Sequence, residues 1–314
     1  MPCLVLTSSF ILRRDAARAY SDFRFSANCR ESRNGNIFRL SALDLSSKLS
    51  AITLPDAGLL RKPKDTEFMF GRFIAFLYGL VCYLTFLVAF LYAIAFVGNI
   101  SLVPKTIDSG TAAPLTEALI TNAVLLSLFA VQHSVMARQW FKRAWKKIVP
   151  EPVERSTYVL LASLILLLLY WKWEPMKGII WDVRNPNGRM ILMGLFWIGW
   201  GLVLASTYLI DHFGLFGMKQ VYNYLVGKHE EPPPFKTPTL YKMVRHPLYL
   251  GFIIAFWATP RMTTGHLFFA IMTTAYILVA IQFEERDLIR FYGDNYRRYR
   301  EQVSMLFPLR LRKR

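Results

Sequence analysis

Cysteine is scarce in this chain: there are three in 314 residues, Cys3, Cys29 and Cys82. Their spacing fits no metal-ligand pattern, so neither a disulfide framework nor a metal site is expected. Gly-rich phosphate cradles are missing, which argues against a nucleotide held by its phosphates. No Ser-x-Gly elbow or partnered nucleophile marks a hydrolase. Acidic residues are few, 21 Asp and Glu against 38 Lys and Arg, and the formal net charge is +17. No basic stripe interleaved with base-stacking aromatics accompanies that excess, so nucleic acid is not an expected partner. In an apolar chain the excess reads as basic flanks that fix orientation and meet anionic membrane lipid.

Hydrophobic residues make up 54% of the chain and aromatics 15%. That is too apolar for an ordinary soluble domain and long enough for several membrane spans. Residues 1–68 stand apart, rich in Ser and Arg with no sustained period. Arg13 and Arg14 follow the short apolar run instead of preceding it, unlike a cleaved signal peptide, and Asp15, Asp22 and Glu31 speak against a transit peptide. The stretch reads as a disordered leader, or as a start assigned too early with Met69 the true beginning. Residues 69–314 read as one membrane domain.

Four apolar runs within that domain are long enough to span, at 70–97, 115–131, 156–173 and 190–210. In the fourth, Gly194, Gly199 and Gly201 offer close helix contacts. Residues 138–155 are heavily basic, with Trp140, Phe141 and Trp145 forming an interfacial belt. Residues 213–226 are weakly amphipathic and suit the interface. The run Glu230-Glu231-Pro232-Pro233-Pro234 reads as an extended connector. After Gly251 the apolar stretch lasts only to Ala258, too short to cross as a helix, and reads as a re-entrant arm. Residues 265–283 form a longer return arm. The expected fold is therefore all-α: a polytopic membrane helix bundle of four full spans plus a C-terminal helical hairpin with cytoplasmic ends. The basic loop at 138–155 and the Arg-rich tail place the N-terminus in the cytoplasm, with the pairs Gln132-His133, Asp211-His212, Arg245-His246 and Glu284-Glu285 at the cytoplasmic edge of a bacterial inner membrane. No protein partner is evident.

Two stretches carry the chemistry: Val244-Arg245-His246-Pro247-Leu248-Tyr249-Leu250-Gly251, and Glu284-Glu285 continuing through Phe291-Tyr292-Gly293-Asp294-Asn295-Tyr296 to Tyr299 and Val303. Ionisable groups at the edges of apolar segments are functional candidates by default. Together these stretches offer a carboxylate pair, an imidazole, a guanidinium, several tyrosines, and a glycine that admits close backbone approach. Pro247 biases His246 towards an extended backbone. Glu284 and Glu285 suit ribose hydroxyls or a cationic group. His212 and His266 fit interfacial or capping roles, and Tyr292, Tyr296 and Tyr299, at about helical spacing, fit packing.

Arg-His-Pro-x-Tyr-x-Gly followed by an apolar hairpin and a Glu-Glu helix resembles the isoprenylcysteine carboxyl methyltransferase superfamily. The resemblance implies S-adenosyl-L-methionine as cofactor, with His246, Tyr249, Gly251, Glu284 and Glu285 in its pocket and Arg245 beside them. One departure bears on substrate: the prenylcysteine enzymes place a carboxylate-reading Arg four residues before the first Glu, where this chain has Ala280. Further upstream, Gln132-His133-Ser134-Val135-Met136-Ala137, Phe141-Lys142-Arg143 and Glu154-Arg155-Ser156-Thr157-Tyr158 resemble the nurim-like branch of that superfamily, as does Ala75-Phe76-Leu77-Tyr78-Gly79. That branch includes bacterial methanethiol S-methyltransferases. The implied reaction is methyl transfer to a small thiol, taking methanethiol to dimethyl sulfide. Its nucleophile is the thiolate, so a base or an anion-stabilising group is needed. His133, His246 and His212 are candidates for the base, and Arg245 for steadying the anion. The alternatives are a methyltransferase acting on a lipid or other lipophilic acceptor, and a nurim-like membrane protein without turnover.

Overall fold

Apolar side chains that cover a helix on every side leave it no polar face to turn to water, and that pattern dominates the structure. The computed structural model describes residues 65–229 and 235–308. The leader as far as residue 64, the Glu230–Pro234 connector and the last six residues lie outside the described part. Helix α1 (Asp65–Val97) is followed by α2 (Leu115–Met136), the short α3 (Gln139–Trp145) and α4 (Glu151–Lys172). Strand β1 (Ile179–Asp182) leads to α5 (Pro186–Ile210), then to the short helices α6 (His212–Leu215), α7 (Met218–Leu225) and α8 (Thr239–Met243). The last part comprises α9 (Pro247–Trp257), β2 (Arg261–Thr263), α10 (Thr264–Tyr292) and α11 (Asp294–Gln302).

Five helices are long and apolar enough to cross a membrane: Met69–Val97 within α1, then α2, α4, α5 and α10. Their outward faces carry large apolar side chains, such as Phe70, Val81 and Val88 on α1 and Met190, Ile191 and Ile198 on α5. The chain is a multi-pass membrane protein. The return arm of the hairpin stands outside the four expected spans, yet as α10 it has 29 residues, about 43 Å, the length of a full span.

The hairpin also differs from a re-entrant turn. Helix α9 has only 11 residues, about 16 Å, but the chain continues as extended backbone into β2. That strand pairs antiparallel with β1, in the connection between α4 and α5. The tip of the hairpin therefore reaches the end of the bundle opposite the Arg245-His246 motif. This two-stranded pairing is the exception to an otherwise helical fold. Its anchor is local: Thr263 caps α10 by accepting from the His266 amide at 3.1 Å, and His266 Nε2 donates to the Phe256 carbonyl at 2.9 Å. His266 is thus a structural residue, as its place at a helix end implied.

Helices α5 and α9 pack closely against each other, and glycine is the reason. A Cβ on Gly199 would meet the Ala255 amide nitrogen at 2.7 Å, and one on Gly251 would meet the Gly199 carbonyl oxygen at 2.7 Å. Gly194 and Gly201 do not share this role, for no described atom lies within 4 Å of where their Cβ would stand. A second group joins α1, α2, α4 and α7. Between the two groups runs an aromatic core in which Phe96, Tyr170, Trp173, Phe196, Trp200, Phe256 and Phe269 interlock. Helix α10 rests on α9 and touches α2 only at its side. That placement brings the Glu284-Glu285 turn between them.

Candidate functional site

Pro247 opens α9 at its first turn, where the missing amide costs nothing, and His246 sits just before it with φ −128° and ψ 63°, short of the extended backbone expected of a residue before proline. The residues preceding the helix cannot bond within it. They pair instead with the chain after α11: the Arg245 amide donates to the Ser304 carbonyl at 2.8 Å and the His246 amide to the Met305 carbonyl at 3.2 Å. Val244 and Ser304 form an isolated parallel bridge. The C-terminal segment is thereby laid beside the Arg-His-Pro turn.

Against this turn stand two consecutive carboxylates of α10, and they divide the labour. Arg245 Nε donates to Glu285 Oε1 at 2.7 Å, and His246 Nε2 lies 3.1 Å from the same oxygen. The Arg245 guanidinium also donates to the Arg300 and Val303 carbonyls. Arg300 itself approaches Glu285 Oε2 at 4.0 Å. Glu285 is therefore the hub that ties the α9 turn to the segment after α11. Arg245, a candidate for anion stabilisation, has its guanidinium in this hub. Glu284, one residue earlier and 2% exposed, faces elsewhere. Its Oε2 accepts the Tyr249 hydroxyl at 2.6 Å, and its Oε1 lies 3.9 Å from His246 Nδ1. Ile277, Ile281, Leu248 and Leu306 pack around this group and keep it in a low-dielectric setting. Of the residues expected in a cofactor pocket, His246, Tyr249, Glu284 and Glu285 come together. Gly251 does not join them; its open face is filled by Gly199 and Val203 of α5.

His133 belongs to a second group of side chains. Its ring stacks on Phe129 with centroids 5.3 Å apart and leans on Tyr158 at 5.0 Å. Both ring nitrogens are buried and have no hydrogen-bond partner among the described residues. Buried polar atoms of this kind call for a partner from outside the chain, a water or a ligand. The neighbouring Ser134 hydroxyl shares a hydrogen bond with the Tyr276 hydroxyl at 3.0 Å. Arg138 lies over the Phe283 ring at 4.6 Å and 3.7 Å from Asp287. These contacts fall before and after Ala280 and Glu284, so the end of α2 runs along the same turns of α10 that carry them. Ala280 is buried and adds no polar group there.

His212 is fully engaged. Its Nε2 meets the Tyr83 hydroxyl and its Nδ1 the Thr207 hydroxyl, each at 2.9 Å, and its ring stacks on Tyr208 at 4.3 Å. Burial lowers its pKa, so the neutral ring serves as a bridge between α1 and α5. Tyr292, Tyr296 and Tyr299 surround the Phe235 ring at 5.0–6.3 Å, a packing role.

Sequence reasoning passed over Lys142. It is 1% exposed, and its Nζ stands 3.7 Å from Glu154 Oε1. Burial pushes its pKa down to about 8, against the pull of Glu154. A lysine one turn from basic Arg138 and Lys146 reads as one more interfacial charge. Nothing in the local pattern says that this one turns inward. Arg300 was likewise lost among the basic residues of the tail.

The chain is similar to a set of curated proteins along most of its length. Methanethiol S-methyltransferase 1 of Bradyrhizobium diazoefficiens is 58% identical over 248 residues, which are 79% of this chain and 87% of that protein. The methanethiol S-methyltransferase of Mycobacterium tuberculosis is 59% identical over 237 residues, 76% of this chain and 97% of its own length. Mouse Nurim is more distant, 31% identical over 180 residues, 54% of this chain and 68% of Nurim. No protein-family model matches the chain. No solved structure matches it either.

Proposed function

We propose that this chain, which belongs to the family of methanethiol S-methyltransferases, methylates methanethiol to dimethyl sulfide with S-adenosyl-L-methionine as methyl donor, at a site on the cytoplasmic side of a bacterial inner membrane. The observation that carries the reading is the buried Glu284 of α10, held by the Tyr249 hydroxyl, together with His133, whose two ring nitrogens have no partner among the described residues, on the end of α2 that runs along α10. The donor set suits the cofactor. A buried carboxylate accepts ribose hydroxyls, and a wall holding two carboxylates tolerates a sulfonium charge. Bound there, the cofactor would supply an electrophilic methyl carbon, with the electron pair of its carbon–sulfur bond returning to the sulfonium sulfur.

The chain's own residues do the rest. Tyr249 holds Glu284, and Glu285 holds the ring of His246, so these side chains are oriented before a ligand arrives. Apolar packing by Ile277, Ile281 and Leu248 excludes water that would solvate a thiolate. His133 takes the thiol proton on a ring nitrogen, and the thiolate lone pair forms the new carbon–sulfur bond. Ala280 leaves the acceptor side without a guanidinium fork, so a substrate carboxylate would be buried unpaired at a cost of several kcal/mol. A small neutral thiol avoids that cost.

The test is to feed methanethiol, and separately farnesylcysteine, to membranes holding the protein with labelled cofactor. Dimethyl sulfide in the headspace and no labelled prenylcysteine ester is the expected result. Carboxyl methylation of farnesylcysteine without volatile sulfide would overturn the substrate assignment.

A further inference from the structure

At the end of the bundle opposite Glu284, a cavity of about 540 Å³ opens beside the hairpin tip. Its polar rim carries Lys177, Arg189 and Arg261, and Asp108 is the one acidic residue lining it. The Asp108 carboxylate is consumed locally: Oδ2 accepts Asn99 Nδ2 at 2.7 Å and Oδ1 accepts the Thr263 hydroxyl at 2.5 Å. Asp182 lies outside the lining, 4.0 Å from Arg189 and opposite Arg261 in the strand register. Three cations against these two acids leave the cavity a net charge of +1, and Arg189 is the cation paired with an acid, Asp182. Its inner wall is apolar, built by Val97, Met193, Phe196 and Ala258.

This charge needs an explanation of its own. The connections at this end, 98–114, 173–185 and 258–263, together with the first turn of α5, hold five Lys and Arg residues: Lys105, Lys177, Arg184, Arg189 and Arg261. Three of the five converge on one cavity. It sits where α1 ends and α5 begins, the level of lipid headgroups for helices of this length. A rim of cations above an apolar wall at that depth matches the two halves of an anionic lipid.

We infer that this cavity binds a phosphate-bearing anion, with Lys177, Arg189 and Arg261 holding the phosphate and the apolar wall receiving the beginning of an acyl chain. The source of the phosphate is the headgroup of an anionic phospholipid or free phosphate. The site is separate from the methyl-transfer site and does not depend on that reading.

The full chain, delipidated in a neutral detergent, is titrated with phosphatidylglycerol, phosphatidylcholine or inorganic phosphate while its thermal midpoint is followed. Phosphatidylglycerol is expected to raise the midpoint saturably where phosphatidylcholine does not. In Lys177→Gln/Arg261→Gln the apparent affinity should fall by about tenfold or more, as expected for lost charge-assisted contacts. Arg184→Gln, a charge removed from the same end but outside the cavity, should leave the titration unchanged, and Lys177→Arg should retain it. The same variant-sensitive shift with inorganic phosphate would assign the site to a free anion. No saturable shift with either probe, or a shift equal in the parent and in the Lys177→Gln/Arg261→Gln protein, overturns the inference. So does an equal response to phosphatidylcholine.

Discussion

Tyr249 donates its hydroxyl to Oε2 of Glu284 at 2.6 Å, across 35 residues of sequence and between two different helices. The contact divides two adjacent glutamates that look alike in the sequence. Glu284 is held by Tyr249, whereas Glu285 is held by Arg245 and His246.

The structural half of that division is testable by stability alone. Arg245 and Glu285 are both about nine-tenths buried and in direct contact. A double-mutant cycle with Arg245→Met and Glu285→Gln, read by thermal or denaturant unfolding in detergent, should give a coupling of about 1–3 kcal/mol. Either single change should cost more than the pair changed together, because each leaves a buried charge without its partner. Additive effects would show that the ion pair does not hold the C-terminal segment.

His133 should act on chemistry and not on cofactor binding. His133→Phe fills the same space between Phe129 and Tyr158 and removes both nitrogens. Turnover should fall by about 100-fold or more, with the cofactor dissociation constant within about twofold of the parent. Because thiolate in solution then becomes the nucleophile, the residual rate should climb about tenfold per pH unit below the thiol pKa. A flat pH profile, or parent-like turnover, would remove His133 from the mechanism.

Gly251 gives a prediction that separates packing from ligand contact. Adding one methyl group in Gly251→Ala drives it into the Gly199 carbonyl and the Val203 amide, both backbone atoms that cannot yield easily. The cost should be about 1–3 kcal/mol of stability. Cofactor affinity of the folded fraction should be unchanged. A folded, stable variant with weakened cofactor binding would return Gly251 to the pocket.

Lys142 predicts a pH effect. Its native pKa, about 8, lies below the ordinary lysine value of 10.5 near which it titrates when unfolded. Between those values the unfolded chain holds a proton that the native one has lost, so stability rises with pH through this window. Below pH 8 both states are charged and the burial penalty is present in full; the gain across the window is at most about 3 kcal/mol. Lys142→Met should lose this rise, seen as a smaller slope of melting temperature between pH 8 and 10. Identical slopes would mean that Lys142 is solvated in the working protein.

Periodicity and composition made the bundle legible because a lipid-facing helix must be apolar along its whole length. They also located the Arg-His-Pro and Glu-Glu stretches, since ionisable residues at span ends are conspicuous. Three features escaped for physical reasons. Strand β1 is four residues long and its partner three, too short for an alternation to register. The reach of the hairpin depends on that pairing, so α9 alone reads as a helix that turns back. Gly251 resembles a ligand-side glycine until the facing Gly199 is placed against it, a relation between residues 52 positions apart. The division between Glu284 and Glu285 likewise depends on helix rotation, which puts neighbours about 100° apart.

On the proposed function, Glu284 and not Glu285 receives the methyl donor. Equilibrium binding of S-adenosyl-L-methionine to the detergent-solubilised protein tests it most directly, comparing Glu284→Gln, Glu285→Gln and the parent at matched helix content. Glu284→Gln should weaken binding by about 10- to 100-fold, the worth of a lost charged acceptor of roughly 1.5–3 kcal/mol. Glu285→Gln should lower the melting temperature and leave the affinity of the folded protein within about threefold. Parent-like affinity in Glu284→Gln, or the larger loss in Glu285→Gln, would contradict the account.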